Sequence, residues 1–567
     1  MTDASPADTD EPASVPASTL RDRLVPPMPN DLVWGWLGPL IVTALAAVLR
    51  FWDLGKPRSV MFDETYYAKD AWSLLHFGYE RTWGDGANDK ILAGNTAVSG
   101  PNAVLKSSPE YVVHPPVGKW VIAGGEKVFG LTPFGWRFGV ALLGTIAVFV
   151  LCRVARRMFR STLIGCLAGL VLAVDGLSIV MNRAALLDGV LMAFLVFAFG
   201  CLVVDRDWGR SRIADAVDAS QPADQLGIGA RIEGRGPRLW WRPWRLAAGV
   251  FLGLAIGVKW NGLFFLVAFL VMTLLWDFGA RKAAGVRYFR TAALRLDLWP
   301  TLIVLVAVPV VVYVGTWTGW IAHWGTSSGY YRNWAADRGP ATLPVLGIHV
   351  PFVQDWFRSL WHYHHEAYTF HKNLDSPHPY QSNPWGWLVL ARPVAVYYES
   401  IKSGSSCPSG NCSSAITALG NPFVWWGGTL ALLHAAWRWI ARRDWRGGAV
   451  MAGIAAGLLP WFMYQHRTVF SFYAVVLVPF LALALAQVAA AVLGPVEQPA
   501  SAVPPAPSRA GPTILGMTAE RRTVGSVLIA VYVGATVLAT AYFWPVWTAM
   551  IIPYGDWLRR MWFKSWI

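Results

Sequence analysis

The sequence predicts an all-α polytopic membrane protein with about eleven transmembrane helices, each near the ~20 residues that a bilayer requires. Composition is the first indication: 55% of the 567 residues are hydrophobic and only 14% are charged, whereas soluble domains carry about 25% charged residues. Long apolar runs recur along the whole chain. Arginine clusters occupy alternate connections between these runs, as in proteins oriented by positive cytoplasmic loops.

The apolar runs divide the chain into regions, and the fifth and sixth runs are short. The predicted spans are Val33–Trp52, Phe134–Leu151, Leu163–Ile179, Ala184–Val204, Leu246–Val258, Leu263–Trp276, Pro300–Trp320, Phe423–Trp439, Ala449–Met463, Val469–Leu493 and Val524–Trp547. We expect a disordered cytoplasmic tail, a membrane domain, a disordered cytoplasmic linker and a final helix with an outer tail, at residues 1–32, 33–493, 494–523 and 524–567.

The basic clusters predict the orientation of the chain in the membrane. They lie at residues 153–160, 206–245, 281–295, 438–446 and 521–522, and all fall on one side if the count is eleven. That side is cytoplasmic by the positive-inside rule, which places the N-terminus inside and the C-terminus outside. Since these loops account for much of the net charge of +14, we expect no nucleic-acid partner.

Two long outer loops are then predicted, at residues 53–133 and 321–421, and both are rich in Trp, Tyr, His and Pro. Connections of this length are uncommon unless they are functional. The 33 tryptophans fit membrane interfaces and are also suited to stacking on sugars. Of the 11 histidines, only His434 lies inside a predicted span.

Two smaller patterns lie in the second loop. Cys407 and Cys412 enclose four polar residues, and a small disulfide is expected there if the loop faces an oxidising compartment. The run from His362 to Glu366 places His362 and His365 on one helix face, with Glu366 beside His362. We favour hydrogen bonding to a polar substrate, or solvation, over a structural metal.

The adjacent carboxylates Asp63 and Glu64 follow the first span directly. Two ionised groups beside a bilayer are costly, so a functional reason is expected. One of them is suited to act as a general base. The alternative is a solvated acidic start of a loop.

Several cations and polar residues lie at the same predicted face. Arg137 and Lys259 either snorkel or hold an anion, and Arg183 either does the same or pairs with Asp188. A transporter would place such charges near the bilayer midplane. Their position at the outer interface instead favours an enzyme with an anionic, lipid-borne substrate.

At this point the chain resembles the protein O-mannosyltransferases, polyprenyl-phosphate-sugar-dependent enzymes with the GT-C glycosyltransferase fold. Five stretches carry the resemblance in family order: Phe62-Asp63-Glu64, His114 to Lys119, Arg183 to Asp188, Val258 to Gly262, and Ser376 to Tyr380. The second loop is too short for the β-trefoil-like domain of the eukaryotic members. The resemblance is therefore to the compact bacterial, actinobacterial-like form.

The resemblance implies transfer of one mannose from polyprenyl-phosphate-mannose to Ser or Thr hydroxyls of exported proteins, with inversion, at the outer face of the plasma membrane. Asp63 would be the base, and Glu64 would orient the acceptor or a neighbouring cation. The donor phosphate and sugar would be held by Arg137, Lys259 and, more weakly, Arg183, with Asn261, His114 and His378. No metal and no cofactor are expected.

The partners implied are the lipid donor, membrane lipids and exported acceptors, delivered by the secretion machinery. Two alternatives stay open. One is a GT-C transferase that acts on a lipid or glycan acceptor. The other is a transporter or flippase of lipid-linked solutes.

Overall fold

The computed structural model describes residues 19–219, 234–323, 330–331, 333–338, 354–402, 407, 409–494 and 518–567. Its main helices are α1 (Leu32–Phe51), α2 (Glu64–Phe77), α3 (Val117–Phe129), α4 (Pro133–Phe159), α5 (Thr162–Val174), α6 (Leu187–Asp218), α7 (Pro243–Val258), α8 (Gly262–Ala283), α9 (Phe289–Thr316), α10 (Asp355–Lys372), α11 (Pro422–Arg442), α12 (Trp445–Tyr464), α13 (Ser471–Leu493) and α14 (Thr518–Trp547).

Short helices and turns connect these elements. They are Leu20–Leu24, Ala87–Leu92, Gly176–Met181, Thr318–Ala322, Ala336–Arg338, Pro384–Val389, Tyr554–Arg560 and Lys564–Trp566. Helix α9 contains two π-helical turns, Ala293–Asp297 and Ile303–Ala307.

Each predicted span overlaps a helix of the structure, and the third overlaps both α5 and the short helix Gly176–Met181. Eight helices of the described part are long and apolar enough to cross a membrane: α1, α4, α6, α8, α9, α12, α13 and α14. Helices α5 and α7 are apolar but shorter, and α11 has 21 residues. The protein is therefore a polytopic helical membrane protein.

The prediction of disorder at residues 1–32 is wrong for the part that the structure describes. Leu20–Leu24 is helical, because Leu24 is buried against the end of α6 and Arg21 pairs with Asp215 at 2.7 Å. The rest of that tail, residues 1–18, and most of the predicted linker, residues 495–517, lie outside the described residues. The last helix begins at Thr518 rather than at 524.

The described parts of the two long segments that were predicted to be outer loops contain strands, which the all-α prediction missed. In the first segment, β1 (Arg81–Trp83) and β2 (Leu105–Pro109) form an antiparallel pair between α2 and α3. In the second, β3 (Val394–Ile401), β4 (Cys412–Ala418) and β5 (Ile552–Pro553) form an antiparallel sheet. Period-2 burial at the start of β3 shows one face of that strand packed inward.

A disulfide joins Cys407 and Cys412 between β3 and β4, as the sequence predicted for an oxidising compartment. Cys152, Cys166 and Cys201 are free, and Cys152 is buried.

Helix α3 is held against α4 by backbone contact. A Cβ on Gly125 would collide with the carbonyl oxygen of Gly135, and one on Gly139 would collide with that of Val121. Small residues allow helices in membrane proteins to approach this closely. The contact fixes the start of α3, and with it His114, relative to the membrane helices.

The basic loops meet at one end of the bundle. Arg157 and Arg160 both pair with Asp207, and the Arg206 guanidinium lies 3.6 Å from the Trp445 ring centroid. Asp207 and Asp188 are both on α6, so at 1.5 Å per residue they lie about 28 Å apart along the axis. The basic end and the Asp188 end are thus separated by about one hydrocarbon thickness.

Candidate active site

A cavity of about 280 Å³ opens at the Asp188 end of the bundle. It is formed where the start of α6, the α7–α8 connection, the end of α10 and the α12–α13 connection meet. Its lining residues are His114, Asp188, Lys259, Trp260, Asn261, Leu263, Phe264, Tyr368, His371, Lys372, Trp461, Tyr464, Arg467 and Tyr473. Three of the predicted donor-binding residues are in this set: Lys259, Asn261 and His114.

Lys259 and Asp188 form an ion pair on the cavity wall. The Lys259 Nζ donates to Asp188 Oδ2 at 2.7 Å and lies 5.0 Å from the Tyr473 ring centroid. The alternative that Asp188 pairs with Arg183 is therefore wrong. The reason is geometric, because Arg183 is directed toward the end of α1.

Two acceptor atoms of this wall are buried and have no hydrogen-bond partner in the described part of the chain: Asp188 Oδ1 and Asn261 Oδ1. An unsatisfied buried acceptor costs about 1–3 kcal/mol. Both atoms are therefore placed to accept from the hydroxyl groups of a ligand. The aromatic rings of Trp260, Trp461 and Tyr473 line the same cavity and are suited to the apolar face of a sugar.

A second cation, Arg467, is positioned by His371. The His371 Nε2 bonds to the carbonyl oxygen of Val113 at 3.1 Å, so Nε2 carries the hydrogen and Nδ1 is the acceptor. The Arg467 Nη2 donates to that Nδ1 at 3.1 Å. Burial, followed by the charge of Arg467, lowers the pKa of His371 to about 4. His371 is thus a neutral support for Arg467, whose buried Nε has no partner among the described residues.

His114 completes this side of the cavity. Its ring stacks on His371 at 5.0 Å between centroids. Burial, and then the charge of Lys259, hold the pKa of His114 well below its usual range, so its ring is neutral. The lining therefore carries three cations, Lys259, Lys372 and Arg467, against the single carboxylate of Asp188. This charge balance suits an anionic ligand.

Asp63 faces the same charges from the start of α2. The residue before it, Phe62, has a φ of 47°, an uncommon conformation for a bulky residue. The Phe62 ring is held edge-on against Phe470 and Phe472. This packing stabilises the turn that directs Asp63 toward Lys259 and Asp188.

The Asp63 carboxyl is suited to accept a proton near neutral pH. Burial raises its pKa to about 6; the Lys259 charge and a hydrogen bond from Tyr67 lower it, and the Asp188 charge raises it. A base with a pKa near the working pH combines a sufficient ionised fraction with proton affinity.

Glu64 and Arg137 form a structural pair away from the cavity. Both are fully buried, and Arg137 Nε and Nη2 donate to the two Glu64 oxygens at 2.8 and 2.9 Å. The remaining Arg137 bonds go to the carbonyl oxygens of Leu54, Pro57 and Ser59. Of the two roles expected for Glu64, holding a neighbouring cation fits. Arg137 has no donor left for a phosphate, and that expectation is corrected.

Arg183 and His378 also lie outside the cavity lining. Arg183 Nη1 donates to the carbonyl oxygens of Leu49, Arg50 and Trp52, which caps the C-terminus of α1. The His378 ring lies 6.4 Å from Phe62 and its Nδ1 accepts from the Tyr380 backbone. Both residues support the loop around Asp63, and neither is placed to hold a donor phosphate.

The sequence analysis missed most of the remaining polar residues of the cavity, notably Arg467, His371 and Lys372. Arg467 belongs to the polar run 464–468 between two predicted spans. An arginine in so short a connection between two apolar spans was a usable signal. His371 and Lys372 lie at the end of α10, and their spacing alone did not relate them to the first loop.

Trp260 is fixed by a chain of hydrogen bonds to α10. Its Nε1 donates to the Tyr313 hydroxyl at 2.9 Å, which lies 2.7 Å from His364 Nε2. His364 Nδ1 bonds to the Leu360 carbonyl at 2.7 Å, so Nε2 is the acceptor in this chain. Helix α10 and the cavity wall are thereby connected.

The chain matches two family profiles. Residues 40–212 match "Dolichyl-phosphate-mannose-protein mannosyltransferase", and residues 356–566 match "C-terminal four TMM region of protein-O-mannosyltransferase". The fold is similar to that of the Saccharomyces cerevisiae protein O-mannosyltransferase Pmt1-Pmt2 complex bound to the sugar donor. The TM-score is 0.62 at 14% identity, over 94% of this chain and 92% of that one.

Three relatives are each named polyprenol-phosphate-mannose--protein mannosyltransferase. The one from Mycolicibacterium smegmatis is 38% identical over 99% of both chains. The one from Mycobacterium tuberculosis is 36% identical over 95% of this chain and 93% of the relative, and the one from Corynebacterium glutamicum is 32% identical over 96% of both. The chain belongs to the polyprenol-phosphate-mannose–protein mannosyltransferase family.

Proposed function

We propose that the protein transfers a single mannose from polyprenyl-phosphate-mannose to Ser or Thr hydroxyls of exported proteins, with inversion at the anomeric carbon. One observation carries this proposal: the charges of Lys259 and Asp188 act on Asp63, and both residues line a cavity that also holds Arg467 and unsatisfied acceptors. Such a site suits a phosphosugar beside a base. The names of the relatives support the same reaction.

The donor phosphate is held by Lys259 and Arg467. As the glycosidic bond breaks, the phosphate diester becomes a monoester and gains negative charge. Fixed cations that meet this growing charge lower the barrier. Lys372, also on the cavity wall, adds to the positive field. Asp188 Oδ1 and Asn261 Oδ1 accept from sugar hydroxyls.

Asp63 removes the proton from the acceptor hydroxyl as that oxygen attacks the anomeric carbon. A serine hydroxyl is a weak nucleophile, and a positioned base contributes about 10²–10⁴-fold to such a step. Lys259 favours the ionised form of Asp63, so one cation serves both halves of the reaction. Glu64 fixes the start of α2 through Arg137 and the backbone N–H of Ala185.

We infer that the chain crosses the plasma membrane eleven times, with a cytoplasmic N-terminus and an extracytoplasmic C-terminus. The positive-inside rule places the arginine-rich end in the cytoplasm, which leaves the cavity at the outer face. Exported proteins emerge at that face during secretion, so the secretion machinery would deliver unfolded acceptor segments there. Residue-specific labelling of single cysteines at each end of the bundle tests this orientation.

A lipid or glycan hydroxyl would use the same base as a Ser or Thr hydroxyl, so the acceptor is tested directly. The direct test incubates purified protein with labelled polyprenyl-phosphate-mannose and either a Ser/Thr- and Pro-rich peptide or a glycolipid. We expect label in the peptide, released by mild base as O-linked mannose. Transfer to the glycolipid alone would refute the protein acceptor.

A further inference from the structure

Helix α10 carries histidines that the mannosyl-transfer site does not use. His364 bonds to Tyr313 and His371 bonds to Arg467, so both have a role in shaping the cavity. His362 and His365 are directed elsewhere, toward Glu366. Their position calls for a separate explanation.

The three side chains converge on one point. Potential ligand atoms of His362, His365 and Glu366 all lie within 4.8 Å of one another. Glu366 Oε1 lies 3.5 Å from His365 Nδ1 and 3.9 Å from His362 Nδ1. The i,i+3 and i,i+4 spacings on a regular helix place His365 and Glu366 each beside His362.

These separations are long for direct hydrogen bonds, which join N and O at 2.7–3.2 Å. They are close to those of a metal site. Zinc binds imidazole nitrogen and carboxylate oxygen at about 2.0–2.2 Å, and tetrahedral geometry then places the ligand atoms about 3.4 Å apart. The remaining pair, a ring nitrogen of His362 and one of His365, lies within 4.8 Å, and small side-chain rotations are enough to bring these atoms to the same distance.

His362 is preoriented as a ligand. Its ring stacks on Trp334 at 4.2 Å with an interplanar angle of 14°, and the Tyr331 ring packs edge-on at 4.7 Å. Contacts that fix a metal-ligating ring strengthen binding.

The fourth position would face solvent. Glu366 also lines an open cavity of about 440 Å³, together with Tyr111 and Tyr331. His365 is 65% exposed and Glu366 36% exposed, so an entering ion meets no barrier. Three protein ligands and one water form a common zinc arrangement.

We propose that His362, His365 and Glu366 form a divalent-metal site on the outer face of α10, and that its ligand is Zn²⁺. The donor set of two imidazoles and one carboxylate suits Zn²⁺ better than Mg²⁺ or Ca²⁺, which prefer all-oxygen ligands. The site is separate from the Lys259 cavity and does not depend on the proposed transfer reaction.

The test measures metal binding directly. Tag-free protein in detergent micelles is titrated with Zn²⁺ against a chromophoric chelator, and with Co²⁺ by visible absorption. We expect one tight equivalent of Zn²⁺ and a ligand-field spectrum of low coordination number. The exposed-site variants His365→Ala and Glu366→Gln should each weaken this equivalent at least tenfold, and His362→Ala should do the same.

The matched control is His466→Ala, which removes an exposed histidine outside the cluster. It should leave the tight equivalent unchanged. The proposal is overturned if the wild type takes up no stoichiometric Zn²⁺, or if His365→Ala and Glu366→Gln bind Zn²⁺ as the wild type does. Because His365 is a surface residue, loss of folding does not complicate its variant, and circular dichroism verifies this.

Discussion

Helices α6, α7 and α8 hold an ionic group at each end, and the two groups differ in how fully their atoms are satisfied. At the arginine-rich end, Asp205 accepts from Arg242 and Arg245 at 2.6 and 2.9 Å, and Asp277 accepts from both as well. At the other end, Asp188 has only Lys259, and its Oδ1 is unpartnered among the described residues.

This difference distinguishes an ionic network that stabilises the fold from an ion pair that is available to bind a ligand. A saturated network joins helices and leaves nothing for a ligand to satisfy. A pair with a free acceptor on a cavity wall keeps part of its bonding capacity for a substrate. Buried charge alone therefore does not identify the active site, since both groups are buried; unsatisfied capacity beside a cavity does.

The largest expected effect is on the transfer rate, through Asp63 near the Asp188–Lys259 pair (the open end). Asp63→Asn removes the base and should lower the transfer rate by about 10²–10⁴-fold, with the thermal unfolding midpoint nearly unchanged. Asp205→Asn should lower the unfolding midpoint and leave the transfer rate nearly unchanged. It breaks the network of Asp205, Asp277, Arg242 and Arg245 (the closed network), which lies far from the reaction. Initial rates with labelled donor and differential scanning fluorimetry measure both.

If Asp205→Asn abolished transfer while its unfolding midpoint stayed constant, the arginine-rich end would take part in the reaction, and the distinction between the two ends would be wrong. Near-wild-type transfer by Asp63→Asn would remove Asp63 as the base. The isosteric amide keeps the volume in both variants, so packing changes do not enter.

The next effect is on stability. Arg245→Met leaves Asp205 and Asp277 short of a partner, and breaking a buried ion pair in this way costs about 3–5 kcal/mol. Lys259→Met leaves Asp188 unpaired too, but it removes a single ion pair, whereas Arg245 pairs with two carboxylates. We expect a smaller loss of stability for Lys259→Met and a much larger loss of transfer.

Unfolding by heat and by denaturant, followed through tryptophan fluorescence, compares the two variants. Equal destabilisation by the two substitutions would mean that the Asp188–Lys259 pair contributes as much to stability as the closed network. A stable Arg245→Met variant would contradict the role of the closed network.

The polar residues show how far sequence reasoning reaches. Lys259 was placed in the site because it stands at the predicted outer end of an apolar span, and Asn261 and His114 because they belong to stretches that carry the family resemblance. Arg137 satisfied the same criterion, yet it is consumed by Glu64 and three carbonyl oxygens. Whether a cation at an interface is free or paired depends on contacts across 73 residues, and no local pattern carries that information.

The span positions were predictable because apolar length is a local property. The strands β3 and β4 and the ordered segment around Leu20–Leu24 were not, because their stability comes from contacts with distant residues. Leu24 is buried in a cluster with residues of α6 and α8, and β5 joins the sheet from the far end of the chain. Arg467 was missed for a related reason: His371, which positions it, is 96 residues away.

A moderate effect is expected at Arg467. Arg467→Gln removes a charged hydrogen-bond donor worth about 1.5–3 kcal/mol, which corresponds to a roughly 10–150-fold loss in kcat/KM for the lipid donor. Arg467→Lys should restore part of it, because it keeps the charge but loses the fork that reaches His371. The exposed neighbour variant His466→Ala is the control.

Donor-concentration series for these variants separate binding from turnover. If Arg467→Lys does not restore the kcat/KM lost in Arg467→Gln, and KM for the donor is unchanged, then Arg467 has a structural role like that of the closed network.

The smallest effect concerns pH and Tyr67. Asp63 must be ionised to act as a base, and its pKa is about 6. The transfer rate should therefore rise with pH through about 6 and reach a plateau above it.

The Tyr67 hydroxyl donates to the ionised carboxylate and lowers that pKa. Tyr67→Phe removes this bond, so the acid limb of the rate profile should move to higher pH, by less than one unit. A shift to lower pH, or no acid limb in the wild type, would contradict the assignment. Because Tyr67→Phe keeps the buried ring, its unfolding midpoint serves as the internal control.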